Sequence, residues 1–200
     1  MKYVVDDILP AGLTVITAPP RKGKSWLSLQ LSHSIANGIP FLGRNTTEGS
    51  VLYLDLKGST SKHKKRMEKM WIKETNNFHV FYRCVSLGEG LHLHLKAWKN
   101  EHPDFRMVIV DEFDCILGKV GATQETLVHF IREWALQEGV AVVLVTNMLG
   151  KARRAKVREI ESAWIIKKDR KNTVLLIRGD HVKPSEIPIR FDRDACQWIH

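Results

Sequence analysis

Close to the start of the chain, Gly12-Leu13-Thr14-Val15-Ile16-Thr17 runs directly into Ala18-Pro19-Pro20-Arg21-Lys22-Gly23-Lys24-Ser25-Trp26. An apolar strand, a tight loop and the start of a helix follow one another within this stretch. The loop ends in Gly-Lys-Ser, the ending of a phosphate-binding loop. Such a loop turns its backbone N–H groups inward around phosphates, its Lys reaches the β- and γ-phosphates, and its Ser hydroxyl holds Mg²⁺. A bare Gly-Lys-Ser tripeptide would mean little, so the weight rests on the strand before it and the helix after it. Pro20, Arg21, Lys22, Gly23, Lys24, Ser25 and Trp26 are therefore the expected triphosphate-binding residues, with Ser25 also on the metal. One position departs from the pattern G-x-x-x-x-G-K-[ST]: Ala18 stands where Gly is asked for.

A phosphate loop of this kind needs a carboxylate at the end of a neighbouring buried strand. The run Met107-Val108-Ile109-Val110 ends in Asp111-Glu112. Asp111 is the expected metal-side acid, and Glu112 is the candidate to polarise an attacking water. An isolated acid after an apolar run could equally be a cap. The phosphate loop upstream favours the catalytic assignment.

The rest of the chain alternates in the same style. Helices are expected at 24–37, 62–71, 91–100 and 124–138, and strands at 51–56, 78–85, 107–111 and 140–146. Residues 162–167 and 173–178 read as a hairpin, and 187–191 as a closing edge. The early strands are apolar throughout rather than alternating, which predicts a mainly parallel central sheet flanked by helices on both faces. Antiparallel strands are expected at the C-terminal end. Two hundred residues, 44% hydrophobic and 26% charged, suit one domain spanning 1–200 with a full-sized core. No apolar run approaches a membrane span, and the first residues lack a signal-peptide core. Cys84, Cys115 and Cys196 are odd in number and far apart, so buried thiols in a reducing cytoplasm are expected. The formal charge of +9 is the unusual bulk property and favours a polyanionic partner, nucleic acid first.

With these elements in order, the sequence resembles the RecA-like P-loop ATPases related to hexameric replicative helicases of plasmids, including AAA family ATPases carried on mobile elements. The matching stretches are residues 12–20, 23–26, 34–43 and 49–54, then Arg178-Gly179 and Ile189-Arg190-Phe191-Asp192. The resemblance implies ATP and Mg²⁺ as ligands, single-stranded DNA as partner, and a homo-oligomer, either hexamer or filament. It also makes Ala18 tolerable, since members often carry Ala-Pro-Pro there. Its departures concern chemistry. The family places a water-activating Glu after the second strand, where this chain has Leu56-Lys57-Gly58. An unperturbed Lys, with a pKa of about 10.4, accepts no proton from water at neutral pH, although it could pair with a phosphate. Thr146-Asn147 stands in place of a γ-phosphate-sensing His pair, and Arg178-Gly179-Asp180 has its Arg before the Gly rather than after it.

Two basic segments are the expected DNA contacts: Lys62, Lys64, Lys65, Arg66 and Lys69, and then Lys151, Arg153, Arg154, Lys156 and Arg158. The alternative for each is a solvated helix face. Trp71, Trp98, Trp134, Trp164 and Trp198 are expected to pack mostly in cores. His92 and His94 lack a third ligand at metal spacing. Two functions stay open: an ATPase working on DNA with Glu112 as its base, or a nucleotide-binding subunit that does not hydrolyse. A third and weaker possibility is a basic nucleic-acid-binding module whose P-loop is a relic. Binding residues are retained and catalytic ones altered, so binding of Mg-ATP with weak or absent turnover is expected.

Overall fold

The computed structural model describes residues 2–73, 75–86, 89–115, 123–147, 160–169 and 172–200, apart from the side chains of 123–125 and 169. In chain order, β1 (Tyr3–Val5) and β2 (Leu9–Pro10) pair with each other, and β3 (Gly12–Thr17) leads into α1 (Lys24–Ala36). Then come β4 (Val51–Asp55), α2 (Thr60–Lys69), β5 (Phe78–Phe81), α3 (Leu91–Glu101) and β6 (Met107–Asp111). A short 3₁₀ turn at Phe113–Cys115 precedes α4 (Thr123–Glu138) and β7 (Ala141–Thr146). The chain closes with β8 (Ser162–Asp169), β9 (Asn172–Arg178), β10 (Ser185–Asp192) and β11 (Gln197–Ile199).

These strands form a nine-stranded sheet in the order β11-β10-β9-β8-β3-β7-β6-β4-β5. Every pairing from β8 through β5 is parallel, and β8-β9, β9-β10 and β10-β11 are antiparallel. The mainly parallel sheet with an antiparallel C-terminal end is therefore present, for the reason the apolar runs suggested. Successive residues of β3 and β7 point to opposite faces, and both faces are dry. Ile16, Val143 and Val145 join the core under α1, while Leu13, Val15, Val142 and Leu144 join the core under α3 and α4.

Strand β3 leads through α1 to β4, which lies three places along the sheet, beyond β7 and β6. The crevice left at the carboxyl ends of β3, β7 and β6 is where open α/β sheets place their ligands. The N-terminus of α1 opens onto the same end, and its free N–H groups suit anions.

Several expectations need correcting. The helix after the loop is buried nearly all round, although an apolar residue pattern alone would place only one face inside. Leu27, Ser28, Leu29, Leu31, Ser32, Ser34, Ile35 and Ala36 are all buried, because the terminal strands cover the side turned away from the sheet. Gln30 exchanges two 2.8 Å hydrogen bonds with the backbone of Trp198 in β11, and Trp26 packs on Phe191 of β10. The buried hydroxyls of Ser28 and Ser32 donate to carbonyls one turn back, each at 2.9 Å, which satisfies them without a polar surface. The strand expected at 78–85 ends at Phe81. Strands β1, β2 and β11 were not expected as strands, being too short to show a period. None of the three cysteines is buried: Cys115 is exposed, and Cys84 and Cys196 are half-exposed. Trp134, Trp164 and Trp198 are core residues, whereas Trp71 is exposed. Among the described residues no helix is long and apolar enough to cross a membrane, and no cluster of three metal-ligating side chains occurs.

Candidate nucleotide-binding site

The loop between β3 and α1 is shaped by two left-handed residues, Arg21 with φ 62° and Gly23 with φ 85°. Gly23 caps α1 and has a second reason to lack a side chain. A Cβ there would strike the Trp198 indole ring, whose Nε1 donates to the Gly23 carbonyl at 3.2 Å. The C-terminal strand thus forms the floor on which the loop rests. Pro20, Arg21 and Lys22 stand on the exposed side of the turn, Gly23 is half-buried, and Trp26 is half-buried against Phe191.

Lys24 is buried at 7% relative exposure. Its ammonium donates to the Ala18 carbonyl at 3.1 Å, to the Pro19 carbonyl at 3.3 Å and to Asn147 Oδ1 at 2.9 Å. Burial pulls its pKa below the ordinary Lys value, and the nearby charges of Glu112 and Asp111 push back. The loop therefore holds a desolvated cation beside a helix N-terminus, which is the charge arrangement a polyphosphate neutralises.

Asp111 ends β6 and is 3% exposed. Burial raises its pKa, hydrogen bonds from Tyr53 and Ser25 counter this, and the Asp55 and Glu112 charges add to the rise. Tyr53, in the adjacent strand β4, donates its hydroxyl to Asp111 Oδ2 at 2.8 Å. Ser25 and Asp111, far apart in sequence and expected together as one metal site, lie near enough for Ser25 to influence the Asp111 carboxyl. A hydroxyl and a carboxylate are the hard oxygen donors that suit Mg²⁺, so the residues present fit the ion. They would hold it beside the phosphates, where it would offset charge on the triphosphate.

Glu112 follows in a left-handed conformation, φ 64°, uncommon for a residue with a Cβ. Its Oε2 accepts from Lys57 Nζ at 2.8 Å and from Asn147 Nδ2 at 3.1 Å. Lys57 is 60% exposed and Glu112 24%, and the carboxylate bond holds the Lys57 pKa above its ordinary value. A continuous polar chain results: Lys24, Asn147, Glu112, Lys57. Both functional groups of the Asn147 amide are used in it, one on the loop cation and one on the acid.

Asp55, in register with Asp111 across β4 and β6, was not singled out from the sequence. It is 3% exposed, 3.4 Å from His63 Nδ1 and 3.7 Å from Arg66 Nη1. A Cβ at Gly58 would collide with its carboxylate, so the turn after β4 closes directly over it. This placement separates the first basic cluster. Lys62, Lys64, Lys65 and Lys69 are exposed on α2, but Arg66 is half-buried and turned to Asp55. Lys151, Arg153, Arg154, Lys156 and Arg158 lie outside the described residues. Tyr53 and Trp198 were likewise missed as site residues. Tyr53 was legible only as a lone hydroxyl in an apolar run.

The AAA domain family matches residues 1–153. The solved ATPase domain of G40P matches with a TM-score of 0.69, covering 94% of this chain and 84% of that one at 11% identity, a likeness of fold. No curated protein matches the sequence. With the strand, loop and acid-bearing strand all inside the matched region, the chain belongs to the AAA domain family, as a nucleotide-binding P-loop protein of RecA-like fold.

Proposed function

We propose that residues 1–200 form a single RecA-like domain that binds ATP with Mg²⁺ and acts on DNA, hydrolysing ATP weakly or not at all. In this reading Pro20 to Trp26 surround the triphosphate, Lys24 carries its charge, and Ser25 with Asp111 holds the metal. In this reading, which the resemblance to plasmid replicative helicases supports, the protein works in the cytoplasm, in replication or maintenance of a mobile element. It would work there on single-stranded DNA as a hexamer or filament. Lys64, Lys65, Lys151, Arg153, Arg154 and Lys156 are its proposed phosphate contacts, and Arg66 is a lesser one because it is turned to Asp55.

The observation that carries the weak-hydrolysis part is the 2.8 Å ion pair between Lys57 and Glu112. A cation stands where the family resemblance expects the water-activating acid, and it engages the one carboxylate proposed to replace that acid. A carboxylate held by Lys57 and Asn147 is poorly placed to take a proton from water. The second reading, a nucleotide-dependent structural or DNA-binding subunit with no turnover, is favoured by the same pair if no partner subunit supplies the missing groups. Calorimetry with Mg-ATP, followed by steady-state phosphate release with and without single-stranded DNA, tests both. Binding without release supports the non-hydrolysing reading. Absence of binding, with Lys24→Ala making no difference, would refute both and leave the P-loop a relic.

A further inference from the structure

Helix α2 ends in a conformation its sequence should avoid. The Ile72 N–H donates to the Met67 carbonyl at 2.9 Å and the Trp71 N–H to the Glu68 carbonyl at 3.1 Å, a closed helix terminus. That closure requires a left-handed residue just past the helix, and Trp71 supplies it with φ 53°. Gly or Asn is usual at this position because a Cβ crowds the following carbonyl. Trp71 recovers nothing by packing, since the residue is 75% exposed. Its neighbours are the opposite: Met70 is 1% exposed and Ile72 8%. Gln197 of β11 also donates to the Met70 carbonyl at 2.9 Å. The backbone is anchored on both sides, so a large aromatic ring is presented outward from a fixed stem. Strain that persists without a packing return is the kind that points to function.

The surroundings are cationic. Lys62, Lys65 and Lys69 follow at three- and four-residue spacing along the solvent side of α2, and exposed Lys73 comes just after Trp71. Glu68 is the only acid on the helix. The apolar side of α2, with His63, Met67 and Met70, is turned into the protein, so no apolar face remains for a membrane. Lysines are depleted at the centres of protein–protein interfaces, whereas single-strand binding surfaces combine them with lone aromatic rings.

We infer that Trp71 is a base-stacking platform for single-stranded nucleic acid, with Lys65, Lys69 and Lys73 holding the flanking phosphates. This rests on the nucleic-acid reading above and deepens it by naming the residue that meets the bases. Stacking needs an unpaired base; phosphate contacts do not.

The test is fluorescence anisotropy of the full chain with labelled oligo-dT and with a blunt duplex of the same length, across a salt series. Trp71→Gly is expected to weaken oligo-dT binding by roughly 5- to 100-fold, leaving duplex binding and the salt dependence unchanged. Trp71→Phe should keep most of the affinity. Lys65→Ala and Lys69→Ala should each reduce the single-strand salt slope by about 0.7. Gly suits the left-handed position, and a melting temperature no lower than wild type confirms that the variant is folded. An unchanged oligo-dT affinity, or an equal loss on duplex, would overturn the stacking role while leaving nucleic-acid binding intact. No binding of either ligand by the wild-type chain would overturn both and give Trp71 to a protein partner.

Discussion

The two sides of the cleft hold their charges in different ways. On the loop side, Lys24 and Asp111 are buried and fixed by short bonds to backbone carbonyls, Tyr53 and Asn147. On the far side, Lys57 faces solvent and holds the half-buried Glu112, which Asn147 also reaches. Burying an ammonium and a carboxylate is costly unless each is partnered, so the loop side has the character of a site kept ready for a charged ligand. An exposed ion pair contributes only ~0.2–1 kcal/mol. The Lys57–Glu112 pair therefore adds little to stability, and its consequence is for the reactivity of Glu112. Under the proposed function, holding a nucleotide and cleaving it are separable tasks, and the buried contacts serve the first.

That contrast can be broken from either side. The largest effect is expected from Lys24→Ala, which removes the buried cation. Mg-ATP affinity measured by calorimetry should fall about 100-fold, or ~2.8 kcal/mol, as for loss of charge-assisted phosphate contacts. Retained affinity would mean that the loop side is not the ligand site. Next comes Lys57→Glu, which replaces the cation with the acid the family resemblance expects. Phosphate release should rise by roughly 100-fold, the lower range for a positioned general base. An unchanged rate would remove Lys57 as the cause of the weak hydrolysis proposed above.

The smallest effect concerns stability and has a defined sign. Burial raises the Asp111 pKa above its ordinary value of 3.8. The contribution of this group to stability is therefore full below that ordinary value. It is lost as pH rises through the raised folded-state value, so at neutral pH the ionised carboxylate is a net cost. Asp111→Asn keeps an acceptor for Tyr53 and sheds the charge. It should raise stability at pH 7 by about 1 kcal/mol, a typical gain where function has kept a destabilising group, while Mg²⁺ ceases to strengthen ATP binding. The gain should shrink as pH is lowered toward the ordinary carboxylate range. A variant less stable than wild type at pH 7 would show that Asp111 is held by its partners more than it is burdened by burial.

Much of this cleft was legible in the sequence, because its ingredients are local. The strand-loop-helix order around Gly23-Lys24-Ser25 and the apolar run ending at Asp111 each announce themselves within ten residues. Burial on both sheet faces leaves such strands without polar positions. What stayed hidden depends on contacts across the chain. Trp198 meets Gly23 from 175 residues away. Glu161, 0% exposed, receives the Leu13 N–H at 2.5 Å across 148 residues and the Arg132 guanidinium at 2.6 Å. No periodicity encodes such pairs. Lys57 stood out in the sequence as a departure from the family pattern, but its partner did not, since only the fold brings the turn after β4 beside the end of β6. The exposed Trp71 was hidden for a simpler reason: a Trp next to a buried Met looks like core until the helix ending is known.

The central claim is that this site binds ATP and scarcely turns it over. Steady-state phosphate release by the wild-type chain with Mg-ATP, in the presence of single-stranded DNA, tests it most directly. Release is expected at or near the background rate under conditions where calorimetry shows the nucleotide bound. Robust DNA-stimulated release that is lost in Glu112→Gln would contradict it, and would show that Glu112 is freed from Lys57 when the ligands are in place.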